Sequence, residues 1–503
     1  MKNLGFVFQK IHHSSLLIRC GLALGLGVLS AFSFAPWFLW FLLLIALSGL
    51  MFLLNKTRMK QGALIGFCFG FGQGLISLAW VTNALLIDNG TFAVFVPIAL
   101  LGLGLFMGLF FMGPAALCCM ASSGFKRWIS FCCWFVIFEW IRSWLLTGFP
   151  WNLIGSVYTE NTTLLQFASI FGVYGLSFLT ILTFTSFALL PERKPMIVML
   201  MIFLGVYLSG AFRLYQAVQE NVIGVQLRLV QPNIEQTLKW NPQKRMDIVS
   251  KLIGLSKKDN QAITHVIWPE TAVPYLLEIQ SDEREILMSA IRDGGTLMTG
   301  GLRVVNREKK QLANSIFILD HMTDIVGYAD KSHLVPFGEY VPMRGILPLD
   351  KVVPIESDFI AGNGPKTTVV PKAPPASLLV CYEIIFPRAV VDDNQRPEWI
   401  VNVTNDGWYG ISAGPYQHLG MAQLRAVEEG LPVIRVANTG VSAVISPYGE
   451  KLKSLPLGKE GIIDSSLPRA IQKTLYATWG NIPLLLLCIF GILFSFRKSK
   501  RNK

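Results

Sequence analysis

A membrane-embedded helical bundle carrying a layered α/β domain is the fold class that three observations predict. The 503-residue chain is 52% hydrophobic and only 15% charged, and its mean hydropathy of +0.48 is too apolar for an ordinary soluble protein. Apolar segments of near-spanning length recur through the first 212 residues and once more near the end. Between them, residues 213–481 alternate short β-rich runs with polar, helix-compatible stretches, a pattern that suggests an α/β layered fold with functional residues at strand ends.

The apolar segments lie at about 16–34, 36–54, 62–86, 91–120, 128–147, 163–190, 195–212 and 482–496, and eight crossings is the simplest count. Lys2, Lys10 and Arg19 precede the first run as in a signal peptide. No convincing small-residue cleavage site follows, so the segment reads as a retained anchor. Positive charge marks alternate loops: Lys56, Arg58 and Lys60, then Lys126 and Arg127, then Arg193 and Lys194, then Arg497–Lys503. Those loops are expected in the cytoplasm with both termini, and residues 213–481 on the non-cytoplasmic side of the membrane. The expected domains are a seven-helix transmembrane domain at 1–212, an exported domain at 213–481, and an eighth helix with a basic tail at 482–503.

The net charge of +12 arises in these loops and the tail, while residues 213–496 hold 28 basic and 28 acidic side chains. A nucleic-acid partner is therefore excluded, and the membrane is the expected surface. In the fifth segment Glu139 and Arg142 share a helical face and are expected to pair, as a structural ion pair or snorkel, or as a grip on a lipid headgroup. Gly102, Gly104 and Gly108 lie inside an apolar span and point to helix packing rather than phosphate binding.

In the exported region strands are expected at Val225–Asn233, Ala262–Trp268, Thr296–Val304, Ser315–Leu319, Ser377–Cys381, Trp399–Val403, Pro432–Ala437 and Ser442–Ser446. Helices are expected at Lys244–Lys257, Glu283–Arg292 and Gln417–Glu429.

Seven of the eight cysteines fall in apolar spans, and Cys381 alone lies in the exported region, at a strand end. A buried core thiol and a nucleophile are the two readings. A solitary thiol outside the cytoplasm has no disulfide partner in its domain and is open to oxidation, which favours the nucleophile. The six histidines form no ligand-spaced cluster, no CxxC or HExxH occurs, and neither metal nor cofactor is expected. The histidines also lack an evident Asp or Asn relay. Two other strand-end motifs offer a base and a cation: Trp268-Pro269-Glu270-Thr271-Ala272, and Lys331-Ser332-His333-Leu334-Val335-Pro336-Phe337-Gly338-Glu339-Tyr340.

In the order Glu270, Lys331, Cys381, these residues resemble the catalytic triad of the nitrilase (carbon–nitrogen hydrolase) superfamily. With the eight-span anchor, Cys381-Tyr382-Glu383 and Asn405-Asp406-Gly407-Trp408-Tyr409-Gly410, the chain is similar to the bacterial apolipoprotein N-acyltransferase family. The resemblance implies a nitrilase-like α-β-β-α sandwich in which Glu270 is the general base, Cys381 the nucleophile, and Lys331 the cation facing the oxyanion with a backbone N–H near Tyr382. It implies supporting roles for Glu339, Tyr382 and Glu383, and substrate contacts for Trp240, Trp408 and Tyr409, the last two on an arm that meets lipid or in a simple turn. It further implies an acyl donor, phosphatidylethanolamine, and a diacylglyceryl-cysteine apolipoprotein as acceptor. A membrane-tethered nitrilase-type amidase and a non-catalytic transporter or receptor are the alternatives.

Overall fold

The computed structural model describes residues 14–87, 92–189, 193–239, 241–258, 262–279, 281–322, 324–342 and 358–497. Trp240, Lys2, Lys10, His12, His13, residues 88–91 and the tail 498–503 lie outside the described residues. The chain forms two compact units, one within Met1–Thr82, Val94–Gln216 and Leu475–Lys503, the other within Asn83–Ala93 and Ala217–Thr474.

In the first unit, helices Leu16–Ala31, Trp40–Leu54, Met59–Ser77, Val96–Cys118, Phe125–Arg142, Ala168–Ser186, Arg193–Tyr215 and Ile482–Phe496 fall on the eight apolar segments. Among the described residues, three stretches can cross a membrane by length and composition, Ala93–Cys118, Ala168–Leu189 and Arg193–Tyr215. Met59–Ser77 and Ala79–Leu86, bent by 45°, form a broken fourth. Leu16–Ala31, Trp40–Leu54 and Ile482–Phe496 are shorter, because at about 1.5 Å per residue their helical parts fall short of a hydrocarbon core of about 30 Å. The fifth helix ends at Arg142 rather than near residue 147: Trp144 has already left helical geometry at φ −138°, and Leu146 takes φ 54°.

Small residues set the closest helix contact. Gly62, Gly66, Gly70 and Gly74 line one face of Met59–Ser77, and a Cβ at Gly66 would lie 2.5 Å from Phe111 O and 2.3 Å from Ala115 Cβ. In a solvent as apolar as the side chains, close backbone approach of this kind is what drives helix association. Among the glycines singled out in the sequence, Gly104 and Gly108 receive Phe71 and Phe67, whereas Gly102 faces open space. Arg127 turns inward instead of standing in a loop: Nη1 donates to Leu54 O (2.8 Å) and Thr57 O (3.1 Å), and Nη2 to Cys119 O (3.2 Å) and Ala121 O (3.1 Å). One guanidinium thus satisfies carbonyls at the ends of two helices. Glu139 and Arg142 attract each other electrostatically, as expected, but their direct hydrogen bonds go elsewhere. Glu139 Oε1 accepts from Ile154 N–H (2.8 Å), and Arg142 Nη1 donates to Phe149 O (3.1 Å) and Trp151 O (2.7 Å). Together the two side chains pin the main chain of 149–154 in place.

The second unit contains twelve strands among the described residues: β1 Asn221–Gln231, β2 His265–Ile267, β3 Thr296–Asn306, β4 Gln311–Asp320, β5 Ile325–Asp330, β6 Thr367–Thr368, β7 Ala376–Val380, β8 Trp399–Thr404, β9 Val433–Ala437, β10 Ser442–Ile445, β11 Lys451–Leu455 and β12 Gly461–Pro468. They build two six-stranded sheets, ordered β12-β1-β2-β3-β4-β5 and β11-β10-β9-β8-β7-β6. β1, β2 and β3 run parallel, as do β7, β8 and β9. The sheets face each other through β4 with β7 and β1 with β9. Helix Arg245–Lys257 covers β1 and β12, and helix Gly414–Glu429 covers β9 and β10. The result is an α-β-β-α sandwich. Strands buried on both faces read as continuous apolar runs, as in Ile400-Val401, Val433-Ile434 and the fully buried β7. The unanticipated strands are β5, β6, β11 and β12: β6 has two residues, and β11 is a partly exposed edge whose Lys-Leu-Lys-Ser-Leu carries little hydrophobic signal.

Candidate active site

Every principal side chain of the site leaves the carboxyl end of a strand. β7 runs buried and parallel to β8 as far as Val380, and the chain then breaks sharply at Cys381, whose φ of 52° is left-handed. Such a conformation costs a residue with a Cβ about 1–2 kcal/mol, so the surroundings must impose it. Cys381 starts the 3-10 turn Cys381–Ile385. Glu383 in that turn folds back: Oε2 accepts from Val380 N–H (2.7 Å), while Oε1 accepts from Ser332 N–H (2.7 Å), the Ser332 hydroxyl (2.6 Å) and His333 N–H (3.3 Å). Burial pushes the Glu383 carboxyl up, against the pull of these donors. Tyr382 is buried with its ring edge-on to Phe386 at 5.1 Å.

Lys331 follows β5 and is buried, with its main-chain N–H bonded to Asn314 O (2.8 Å). Its Nζ lies 2.9 Å from Glu339 Oε2 and 4.0 Å from Glu270 Oε1. Burial opposes the charge on this ammonium, but Glu339, Glu270 and Cys381 outweigh it and hold the pKa above the usual lysine range. Glu339 is fixed by Val335 N–H (2.9 Å), and Asn314 Nδ2 donates both to Glu339 Oε1 (3.1 Å) and to Glu270 Oε1 (2.8 Å). One amide therefore separates two carboxylates that share a lysine. Glu270 follows β2 on a turn pressed against Gly300, where a Cβ would stand 2.6 Å from Glu270 Cα. Lys239 Nζ donates to Glu270 O (2.7 Å); burial lowers its pKa to about 8, with Glu270 and Cys381 pulling the other way.

The Cys381 thiol is pushed up to about 12, first by burial and then by the Glu270 carboxylate, with Lys331 opposing. At rest the sulfur is protonated and lies in the field of a carboxylate, an arrangement suited to general-base activation rather than a standing thiolate. The Tyr409 hydroxyl hydrogen-bonds this sulfur, and burial raises the pKa of that phenol. Tyr409 and Trp408 belong to the 3-10 turn Asp406–Tyr409, and Tyr409 O accepts from Asn83 Nδ2 (2.7 Å) and the Ser412 hydroxyl (2.8 Å).

Glu270, Lys331, Glu339 and Cys381 thus converge from three strand ends, Tyr382 and Glu383 frame the cysteine turn, and Tyr409 touches the thiol. Trp408 is half-buried beside it in the same turn. Sequence reasoning missed Asn314, whose neighbours are set by sheet pairing, and Lys239, on a turn beyond β1. It also denied the histidines a relay, and here the structure corrects it. His418 Nδ1 lies 2.9 Å from Asp406 Oδ1, but Nε2 faces the Cys381 main-chain oxygen at 3.1 Å rather than the thiol. The imidazole is therefore not the base for sulfur.

The Carbon-nitrogen hydrolase family model matches residues 226–474, the span of this sandwich. The model of the Apolipoprotein N-acyltransferase N-terminal domain matches residues 26–186. The chain is 36% identical to the apolipoprotein N-acyltransferase of Bradyrhizobium diazoefficiens over 98% of its length and 99% of the relative's. It is also 36% identical to that of Rhodopseudomonas palustris over 95% of each chain. A solved amidase from Nesterenkonia sp. is 19% identical, with a TM-score of 0.34 over 49% of this chain and 92% of that one. The chain belongs to the apolipoprotein N-acyltransferase family.

Proposed function

We propose that this protein N-acylates lipoproteins through a thioester on Cys381, taking the sn-1 acyl chain of a phospholipid, phosphatidylethanolamine foremost, and passing it to the N-terminal amine of a diacylglyceryl-cysteine apolipoprotein. The observation that carries the reading is the Cys381 thiol under the opposing charges of the Glu270 carboxylate and the Lys331 ammonium, in a chain with full-length kinship to N-acyltransferases.

In the first half-reaction Glu270 takes the thiol proton as sulfur attacks the ester carbonyl carbon. Lys331 and the Tyr382 N–H stabilise the oxyanion. Collapse breaks the ester C–O bond, Glu270 protonates the departing alkoxide, and a lysophospholipid leaves behind a thioester. In the second, Glu270 accepts a proton from the incoming amine as nitrogen attacks the thioester. The C–S bond breaks, the proton returns to sulfur, and the triacylated product departs. Glu339 and Asn314 hold Lys331 and Glu270 in place, and Glu383 supports the turn. Trp240 and Trp408 are placed with substrate binding.

The apolar helices fit an inner-membrane protein. We place the catalytic unit on the periplasmic face and both termini in the cytoplasm, from the positive charge of alternate loops. Confining donor, acceptor and thiol to one membrane surface raises their effective concentration. Exclusion of water from the thioester separates transfer from phospholipid hydrolysis.

Mass spectrometry of the purified protein tests the reading. A hydroxylamine-labile acyl group on Cys381, absent in Cys381→Ser, is expected after incubation with phosphatidylethanolamine. An enzyme that takes no acyl group from lipid but hydrolyses soluble amides would instead be the tethered amidase. Retained function in Cys381→Ala and Glu270→Gln would identify a transporter or receptor.

A further inference from the structure

Two buried donors hold the main-chain oxygen of Cys381. Asn402 on β8 donates through Nδ2 at 3.2 Å, and His418 on helix Gly414–Glu429 approaches through Nε2 at 3.1 Å. A carbonyl only accepts, so His418 carries a proton on Nε2. Behind the ring, Nδ1 lies 2.9 Å from Asp406 Oδ1 and 3.1 Å from Arg435 Nη2. Arg435 ties the two supports together, donating through Nη2 to Asp406 Oδ2 (2.7 Å) and through Nη1 to Asn402 Oδ1 (2.5 Å). Asn402, Asp406, His418 and Arg435 are all fully buried. Burial would raise the Asp406 pKa, but Arg435 and His418 overcome it and hold the carboxyl at about 2, so the anion that anchors the network persists across the working range.

The mechanism above leaves this network unused, yet it grips one end of the peptide that matters most. The C=O of Cys381 and the N–H of Tyr382 belong to the same rigid plane and point in opposite directions across a trans bond. Fixing the oxygen fixes where the N–H points. The left-handed φ of 52° at Cys381 makes the fixation necessary, because a strained residue relaxes when its restraints are removed.

We propose that His418, backed by Asp406 and Arg435 and joined by Asn402, is a positioning residue that locks the Cys381–Tyr382 peptide with the Tyr382 N–H turned toward the oxyanion. The inference rests on the reading of Cys381 as an acyl-carrying nucleophile. It assigns the histidine to oxyanion stabilisation in both half-reactions and to no proton transfer with sulfur.

Two reactions of one thiol test it, followed by mass spectrometry at Cys381 in the full-length protein in detergent. Acylation by the p-nitrophenyl ester of a medium-chain fatty acid passes through a tetrahedral oxyanion, whereas alkylation by iodoacetamide displaces iodide and forms none. In His418→Phe, acylation is expected to fall about 100-fold, the order of loss seen when an oxyanion donor is removed, with alkylation within about threefold of the parent. His418→Gln, which keeps an N–H donor, should regain about tenfold or more of the lost acylation rate. Equal acylation in His418→Phe and the parent overturns the proposal, and so does a parallel loss of both reactions, which marks a merely structural residue. A parent protein that forms no acyl-enzyme with the ester overturns it as well. Transfer from phosphatidylethanolamine to a diacylglyceryl-cysteine peptide is measured separately. Should that transfer fail while the split between acylation and alkylation holds, the lipid-transferase reading falls and the role of His418 stands.

Discussion

One oxygen of Glu383 accepts both the main-chain N–H (2.7 Å) and the hydroxyl (2.6 Å) of Ser332, the residue directly after Lys331. The other oxygen of the same carboxylate holds Val380, directly before Cys381. The cation and the nucleophile are thus registered against each other by one buried side chain, although they lie 50 residues apart, on strands of different sheets. Glu383→Gln replaces one acceptor with an NH2 group that faces donors. Hydrogen bonds to charged groups contribute about 1.5–3 kcal/mol each, so a fall in acyl-enzyme formation of about 10–100-fold is expected. The rate of thioester appearance on Cys381 measures it.

Glu270 plays two opposed electrostatic parts. Its negative charge disfavours the thiolate, adding to burial in holding the Cys381 pKa at about 12, yet it is the acceptor for the proton during attack. Removing the charge therefore lowers the thiol pKa while removing the base. In Glu270→Gln, alkylation of Cys381 at pH 9 should be faster than in the parent, by about tenfold for each pH unit the pKa falls, while acyl transfer drops below detection. Slower alkylation in this variant would contradict the assignment.

Lys239 gives the unit a pH-dependent stability. Its pKa is about 8 in the folded protein and 10.5 in an ordinary setting, burial being the cause. Below pH 8 it is protonated in both states and the full cost of burying the charge is present. Between pH 8 and 10.5 only the unfolded state binds the proton, so stability rises with pH, by roughly 3 kcal/mol in total at 1.36 kcal/mol per unit. Above 10.5 the cost is gone. The difference in thermal midpoint between the parent and Lys239→Met, followed from pH 7 to 11, should change across this window and level off on either side.

Gly300 is required by proximity. A methyl group there would stand 2.5 Å from Thr271 N and 2.6 Å from Glu270 Cα, both main-chain atoms that cannot rotate away. Gly300→Ala is expected to cost about 1–3 kcal/mol of stability, as overpacking does, and to slow acyl-enzyme formation by moving the Glu270 turn. A thermal shift measured beside the acylation rate checks both effects.

The sequence by itself determined the features that depend on neighbours along the chain. Apolar runs placed eight helices, β-rich runs placed the buried strands, and the sharp change from Leu378-Leu379-Val380 to Cys381 marked a strand end, because burial and strand alternation are written residue by residue. Resemblance at the motifs around Glu270, Lys331 and Cys381 supplied the candidate site. Only the tertiary structure decided which groups stand between and behind those residues. Asn314 is a polar residue within a strand until the pairing of β3, β4 and β5 sets it between two carboxylates, and His418, Asp406 and Arg435 share no local spacing that announces a network. Glu139 and Arg142 attract each other as their helical spacing allows, and a returning stretch of backbone takes the direct hydrogen bonds of each. Local spacing fixes what a residue can reach along its own element, whereas sheet register and strand order fix what comes to meet it.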